Sequence, residues 1–316
     1  MNENNQPTLR SRRAFLRDMA SGALGLAAGS LLAGCGGGSS TITGTVGRRL
    51  FVSTFTGNTI EQFDASTGAH QRTINTNLGP AGLALGHNND IFAAMRFADR
   101  VERYDLTSGK LIGTIKQTLA PHSVAIGPDG HVYIPNVPSY YSHALGQDTI
   151  ERFDAVSGAS LGTFAQMDMP FSLVWGPDSN LYASTALELG NTHPNSDSIR
   201  RFAGTTGSLL NIVVQGDKVP FDMLFMTDGT MLVAEFIDSR ITRYDLTTGL
   251  AIGQFASVNF PIGMTVGPDG NLYVGSFSDR LGRTKSGTVQ RFNLTTGAPL
   301  GTFISGLTFG AFLAFA

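Results

Sequence analysis

Short apolar runs recur at nearly constant spacing through most of the chain. One series begins at Leu50, Ile91, Val132, Leu181, Met231 and Leu272. A second series, typified by Ile150-Glu151-Arg152-Phe153-Asp154, begins at Ile60, Val101, Ile150, Ile199, Ile241 and Val289. Successive residues of a strand face opposite sides, and these runs carry apolar residues on both sides. They therefore predict β-strands that are buried on one or both faces.

Turn signals follow the second series at a fixed distance. Each run is followed by a pair of Thr or Ser with Gly, beginning at Thr67, Ser108, Ser157, Thr206, Thr248 and Thr296. In Asp-x-x-Thr-Gly the carboxylate accepts backbone N–H groups and the glycine takes the left-handed conformation. A proline then precedes another apolar run, at Pro80, Pro121, Pro170, Pro220 and Pro261. Each repeat thus holds four strands in about 41 residues, which is typical of propeller blades.

The ends of the chain complete one another. The first repeat begins at Leu50 without a preceding proline-initiated strand, and the last repeat is followed by that strand at Phe309–Ala316. The pattern therefore predicts an all-β, six-bladed β-propeller with four antiparallel strands per blade. The C-terminal strand would join the N-terminal blade and close the ring.

The repeats resemble those of NHL-type propellers. The resemblance rests on Gly-Pro-Asp-Gly-Asn-Leu-Tyr-Val at 267–274, on the Ile-x-Arg-Phe-Asp strand and on the proline-initiated strand, and it covers residues 46–316. A looser similarity extends to the SMP-30/gluconolactonase and streptogramin-lyase propellers. It implies a fold that hosts binding modules, hydrolases and lyases alike. The residues after the prolines differ from the gluconolactonase pattern of Asn or Asp, so the metal ligands of that family cannot be transferred.

The N-terminal segment resembles an export signal. Ser11-Arg12-Arg13-Ala14-Phe15-Leu16-Arg17 is similar to the twin-arginine pattern, and Leu32-Ala33-Gly34-Cys35 is similar to a bacterial lipobox. The resemblance implies export by the twin-arginine translocon with Arg12 and Arg13 as the signal, removal of residues 1–34, and lipidation of Cys35. Residues 35–45 would form a Gly/Ser/Thr-rich tether. We expect the protein to be attached to a membrane of the bacterial cell envelope, on the periplasmic side or at the outer membrane in a Gram-negative cell.

Charge and cysteine content narrow the function classes. The 316 residues carry a formal net charge of -2, and residues 1–34 contribute four arginines against two acids, so the remainder is acidic. An acidic body without a basic stretch argues against nucleic acid as a partner. The single cysteine excludes an internal disulfide and a cysteine-based metal site. A monomer is expected.

Departures from the sixfold pattern indicate where a site could lie. The connection between the two strand series is long in three repeats, and it offers Tyr140, Tyr141, His143 and His193 as ligand-binding loop residues. Long loops on rigid scaffolds commonly carry binding residues. The polar residues predicted nearest the channel mouth are Arg96, His122, Asn136, Asp222 and Glu235.

Two functions remain open from these residues. The first is a binding or scaffold module that takes a small-molecule or protein ligand on its loop-walled face. The alternative is a cation-dependent lactonase or lyase acting on a small polar, sugar-like substrate. In that enzyme Asp222, Glu235, His122 and Asn136 would hold Ca²⁺ or Mg²⁺, or His122 or Glu235 would act as base while Arg96 stabilises an anion. The same residues could instead hydrate a polar channel and pair with one another.

Overall fold

The computed structural model describes residues 49–76, 78–142, 146–185, 197–216, 219–277 and 287–316, without the side chains of residues 310 and 311. These residues form six four-stranded antiparallel sheets arranged as a ring. The helical elements described are a 3₁₀ turn at Arg96–Ala98 and a single α-helical turn, α1, at Ser139–Ser142. The predicted six-bladed propeller is therefore confirmed.

The blades follow the chain order. Blade 1 contains β1 (Arg49–Thr54), β2 (Thr59–Asp64), β3 (His70–Asn75) and β24 (Gly310–Phe315). Blade 2 contains β4 (Pro80–Leu85), β5 (Asp90–Met95), β6 (Arg100–Asp105) and β7 (Leu111–Ile115). Blade 3 contains β8 (Ala125–Ile126), β9 (Val132–Asn136), β10 (Thr149–Phe153) and β11 (Ser160–Gln166).

The second half of the ring repeats the plan. Blade 4 contains β12 (Pro170–Trp175), β13 (Leu181–Thr185), β14 (Ser198–Phe202) and β15 (Leu209–Gln215). Blade 5 contains β16 (Pro220–Phe225), β17 (Thr230–Glu235), β18 (Arg240–Asp245) and β19 (Ala251–Ser257). Blade 6 contains β20 (Pro261–Val266), β21 (Leu272–Phe277), β22 (Gly287–Phe292) and β23 (Pro299–Leu307).

The C-terminal strand closes the ring. β24 pairs antiparallel with β1, with Leu50 opposite Phe315 and Val52 opposite Leu313. Two further backbone hydrogen bonds join Arg49 and Ala316, at 3.1 and 2.9 Å. Blade 1 thus takes its innermost strand from the C-terminus, as the repeat pattern predicts.

The path of the chain gives the ring two distinct ends. Within each blade we number the strands from the innermost outward, so that β24 is the first strand of blade 1. The upper rim is the end of the ring where the second strand of each blade connects to the third, and where each blade connects to the next. The lower face is the end that carries the Asp-x-x-Thr-Gly turns. The described ends of the three long connections therefore lie on the upper rim, together with the residues that lead into each innermost strand.

The recurring arginines stabilise the blades. Arg201 lies 2.5 Å from Asp178, and Arg291 lies 3.6 Å from Asp269. Arg103 forms the corresponding ion pair with Asp90. In each pair the arginine lies on the third strand of the blade. Asp178 and Asp269 lie in the turn between the first and second strands, and Asp90 is the first residue of the second strand. These three ion pairs are each made within a single blade.

Blade 3 departs from the pattern in one respect. Its proline-initiated strand is predicted to begin at Pro121, but β8 contains only Ala125 and Ile126. The carbonyl of His122 instead accepts a hydrogen bond from the Gly82 N–H of blade 2, at 3.1 Å. Pro135 in the neighbouring β9 has no N–H, which removes a donor from the strand facing this stretch.

No helix in the described part of the chain is both long enough and apolar enough to cross a membrane.

Candidate functional site at the upper rim

Apolar side chains fill the centre of the ring at the upper rim. One buried cluster takes residues from all six blades, including Phe55, Ala81, Val124, Phe171, Phe221 and Ile262. Ring centroids lie 4.6 Å apart for Phe171 and Phe221, and 4.4 Å apart for Phe221 and Phe236. These rings are almost inaccessible to solvent. The channel mouth is therefore lined by apolar contacts between blades, which sequence reasoning did not predict.

Arg96 is a basic residue in this apolar ring. It follows the second strand of blade 2, at the position that holds Phe55 in blade 1 and Phe236 in blade 5. Its side chain is buried, with the guanidinium carbon 4.2 Å from the centre of the Tyr140 ring and 5.6 Å from that of Phe97. Such stacking offsets part of the cost of burying the charge. Burial lowers the pKa of Arg96 to about 10, against the opposing effects of Tyr140 and Tyr141, so it remains charged at neutral pH.

His122 is the second polar residue in the ring. It directly follows Pro121, at the position that holds Phe171 in blade 4 and Phe221 in blade 5. Its imidazole is buried, 4.7 Å from the Phe171 ring and 6.1 Å from the Tyr140 ring between centroids. Tyr140 thus contacts both polar residues. We call Arg96, His122, Tyr140 and Tyr141 the Arg96 cluster.

Two buried or half-buried aspartates hold the loop that carries Tyr140 and Tyr141. Asp148 accepts hydrogen bonds from the Ser139 N–H and the Met169 N–H, both at 2.8 Å. Asp99 accepts from the Tyr141 hydroxyl and from the Ala120 N–H, also at 2.8 Å. Burial and the Asp99 hydrogen bond raise the pKa of Tyr141. These aspartates position the cluster.

The sequence contains a signal for those aspartates. Each stands two residues before the apolar start of a third strand, at a position that holds Asn58, Asp99, Asp148, Asp197 and Ser239 in five blades. The residues they support have left-handed backbones before the proline, with φ of 42° at Ala120 and 47° at Met169. Left-handed Ala and Met are uncommon, and a fixed N–H partner stabilises them.

Asn136 also supports the rim. Its side-chain oxygen accepts from the Leu119 N–H at 2.8 Å, and its amide donates to the Thr149 hydroxyl at 3.2 Å. One partner thus lies in the connection that leads into blade 3, and the other is the first residue of β10 in the same blade.

Asp222 lies apart from the cluster, completely buried on the innermost strand of blade 5. One carboxylate oxygen accepts from the Met264 N–H at 2.7 Å, and the other from the Ser172 hydroxyl at 3.2 Å and the Met223 N–H at 2.9 Å. The carboxylate therefore joins the innermost strands of blades 4, 5 and 6.

Glu235 is occupied within its own blade. Its carboxylate accepts from Arg240 at 2.5 Å and from the Tyr244 hydroxyl at 2.7 Å. Burial and the hydrogen bond to Glu235 raise the pKa of Tyr244. Blade 2 builds the same arrangement from Arg100 and Tyr104, and there the buried carboxylate comes from Glu102 on the third strand, since Met95 takes the position of Glu235.

The four residues predicted to hold Ca²⁺ or Mg²⁺ therefore do not form one group of cation ligands. Asp222 and Glu235 have separate partners, His122 lies among aromatic rings, and Asn136 supports the connection into blade 3. Among the described residues, no three His, Cys, Asp or Glu side chains lie close enough together to hold a metal ion. Of the predicted catalytic residues, Arg96 and His122 both contact Tyr140. Glu235 instead accepts from Arg240 and Tyr244.

Other predicted residues lie outside the described part of the chain. These are His143 and His193 on the long connections, and Arg12, Arg13 and Cys35 with the tether at 35–45.

Comparisons with known proteins identify the architecture. A chain of a nidogen/laminin complex is 14% identical with a TM-score of 0.66, covering 84% of this chain and 98% of that one. A protein of unknown function from Bacteroides caccae is 15% identical with a TM-score of 0.66 and the same coverage. Hydrazine synthase from Kuenenia stuttgartiensis is 16% identical with a TM-score of 0.55, covering 81% and 79%.

The shared property is the β-propeller fold. No protein-family model and no curated protein sequence matches the chain. At these identities the likeness carries no information about ligands or chemistry.

Proposed function

We propose that this propeller is a lipid-anchored binding protein of the bacterial cell envelope. In this proposal its upper rim recognises a small-molecule or protein ligand that presents a negatively charged group to the Arg96 cluster. The observation that carries the proposal is the buried guanidinium of Arg96, at a ring position where blades 1 and 5 hold phenylalanine. Arg96 interacts with Tyr140, yet burying a charge opposes stability, so its presence at this position favours a functional role.

Several features support recognition at the surface. Apolar side chains from all six blades form one buried cluster at the channel mouth. Tyr141, which belongs to the Arg96 cluster, is exposed on the rim together with Leu119, and tyrosine and arginine side chains are typical of interface centres. One solved chain of similar fold comes from a nidogen/laminin complex, so the fold is compatible with binding proteins. A lactonase or lyase has no comparable support among the described residues.

The lipid anchor has its own test. Because Cys35 completes a lipobox, Cys35→Ser should prevent incorporation of radiolabelled palmitate and leave the precursor uncleaved at that site. Changing Arg12 and Arg13 to lysine should leave precursor in the cytoplasm. Equal palmitate labelling of the Cys35→Ser variant would contradict the lipoprotein proposal, and normal export of the lysine variant would indicate another secretion route.

Photo-cross-linking in cells tests the binding surface. A benzophenone amino acid at Tyr141 on the rim should capture a partner, whereas the same residue at Val156, exposed on the lower face, should give no protein adduct. Arg96→Phe, which copies the residue of blades 1 and 5, should abolish the Tyr141 adduct while the propeller remains folded. A Tyr141 adduct that survives Arg96→Phe, in a variant that is less stable than the original, would make Arg96 structural.

A further inference from the structure

The exposed apolar residues of the ring are strongly segregated. Thirteen large apolar side chains are well exposed in the described part of the chain, and ten of them lie at the lower, outer edge of blades 2 to 6. These ten are between 40 and 70% exposed. They are Leu111, Ile112, Val156, Leu161, Leu209, Leu210, Ile212, Leu250, Ile252 and Leu300. We call these ten residues the lower belt.

Most of the lower belt belongs to the outermost strand of each blade. One residue of it recurs at the same strand position, as Ile112, Leu161, Leu210, Ile252 and Leu300 in blades 2 to 6. The outermost strands of these five blades contain no charged residue. Exposed edge strands usually carry charges that prevent unwanted association. An uncharged aliphatic edge repeated around five blades therefore indicates a surface that is covered in use.

Blade 1 interrupts the lower belt. Its outermost strand begins with His70, Gln71 and Arg72, so that Gln71 takes the position of Leu210. Blade 4, which lies across the ring from blade 1, has the most apolar edge, with Leu209, Leu210 and Ile212 exposed. The belt is thus weakest at blade 1 and strongest at blade 4.

The chain enters the ring from the same end. Arg49 is the first residue of β1 and lies at the lower face, because β1 runs from the lower face to the upper rim. Cys35 stands 14 positions earlier. Even a fully extended chain of that length spans at most ~50 Å. An acylated Cys35 would therefore keep the lower face close to the membrane.

We infer that the lower belt rests on the surface of a zwitterionic phospholipid bilayer, tilted so that blade 4 inserts more deeply than blade 1. This inference rests on the proposed lipid anchor. Aliphatic side chains at the edge of an anchored protein can enter the boundary between headgroups and acyl chains, about 5–10 Å deep. The upper rim would then face away from the membrane, with Tyr141 and Leu119 exposed to a partner.

Acidic residues on the lower face favour zwitterionic over anionic lipid headgroups. The turns there carry Asp64, Asp105, Asp154 and Asp245, and hydrogen bonds from the turn residues lower the pKa of each carboxyl. The turns of blades 1, 3 and 5 are therefore negatively charged at neutral pH, whereas Lys110 and Arg72 lie beside Asp105 in the turn of blade 2. Anionic headgroups would repel the negatively charged turns, most strongly at low salt, whereas zwitterionic headgroups would not.

Fluorescence quenching in vesicles tests the arrangement. Mature lipidated protein carrying a single new cysteine in place of Leu210, Gln71 or Leu119 would be labelled and placed in phosphatidylcholine vesicles that contain a spin-labelled lipid. We expect strong quenching at Leu210, weaker quenching at Gln71 and none at Leu119 on the rim. Replacing part of the phosphatidylcholine by phosphatidylglycerol should reduce quenching at Leu210 in low salt. Ile252→Lys should reduce it as well.

The outcomes separate the inference from the anchor. An acyl mass on Cys35 with equal quenching at Leu210 and Leu119 would overturn the membrane contact while leaving the anchor intact. Absence of the acyl mass would overturn both. Self-quenching at Leu210 that increases with protein density would assign the lower belt to contacts between copies of this chain. Stronger quenching in phosphatidylglycerol would contradict the preference for zwitterionic lipid.

Discussion

Blades 2 and 5 each bury one glutamate carboxylate beside an arginine and a tyrosine, but the glutamate comes from different strands. We expect that the carboxylate of blade 5 can be moved to the strand that supplies it in blade 2. In blade 5 Glu235 on the second strand accepts from Arg240 and Tyr244, whereas in blade 2 Glu102 on the third strand accepts from Arg100 and Tyr104. Glu235→Met introduces the residue that blade 2 has at this position. Adding Thr242→Glu then restores a carboxylate where blade 2 has Glu102.

The magnitude follows from the buried ion pair. Removing one partner of a buried pair typically costs about 3–5 kcal/mol. Arg240 is 30% exposed and keeps Asp238 at 2.9 Å, so part of its charge remains compensated. We therefore expect Glu235→Met to lower the free energy of unfolding by about 2–3 kcal/mol. The double variant should recover at least half of this loss, because Arg240 and Tyr244 regain an acceptor.

Urea unfolding measures both changes. For a ring of this size the single variant should lower the unfolding midpoint by about 1 M at an unchanged slope. Thr242→Glu alone is the control, and it should destabilise because it places two carboxylates beside one arginine. A single variant as stable as the original, or a double variant without recovery, would refute the structural role. Glu235 would then return as a candidate for catalysis or cation binding.

Three further predictions concern the ring. Asp222→Ala leaves the Met264 N–H and the Ser172 hydroxyl without this acceptor, so the free energy of unfolding measured in urea should fall by about 2–4 kcal/mol. An unchanged midpoint would mean that the carboxylate does not join the blades. Deleting residues 309–316 removes the strand that pairs with β1, so calorimetry should show loss of cooperative unfolding; an unchanged melting curve would contradict the shared blade. Hydrogen bonds, first from Ser66, lower the pKa of Asp64 from 3.8 to about 2, so the stabilising effect of this carboxylate is present above pH 4 and is lost as pH falls towards 2. Asp64→Asn should therefore weaken the dependence of the urea midpoint on acid pH. A steeper dependence in this variant would be inconsistent with the cause given.

The fold could be predicted because each blade repeats its strand starts and turns. Ile150, Ile199 and Ile241 each lie one residue after the first residue of a strand, and the missing first strand was found at the C-terminus. Local rules failed where one residue changed the pairing. In blade 3, β8 is short and the neighbouring strand β9 contains Pro135. The effect of that proline depends on which adjacent strand its missing N–H would have faced, and the sequence does not show this.

The site could be predicted only in part. Comparing repeats singled out Arg96, His122 and Tyr140, and the structure places Tyr140 against both other residues. The same comparison selected Glu235, although its carboxylate performs the role of Glu102 from another strand. Sequence position does not reveal which partner a side chain reaches. The apolar contacts that fill the channel mouth come from separate blades and become evident only in three dimensions.

Our central proposal is that this ring presents a binding surface and that Asp222 and Glu235 serve its structure rather than a cation. Its most direct test is elemental analysis of the purified, dialysed protein, followed by thermal melting with and without millimolar Ca²⁺ or Mg²⁺. We expect no stoichiometric metal and no shift in melting temperature, because Asp222 and Glu235 already have hydrogen-bond and ion-pair partners. One equivalent of bound metal, lost in Asp222→Asn or Glu235→Gln, would contradict the proposal.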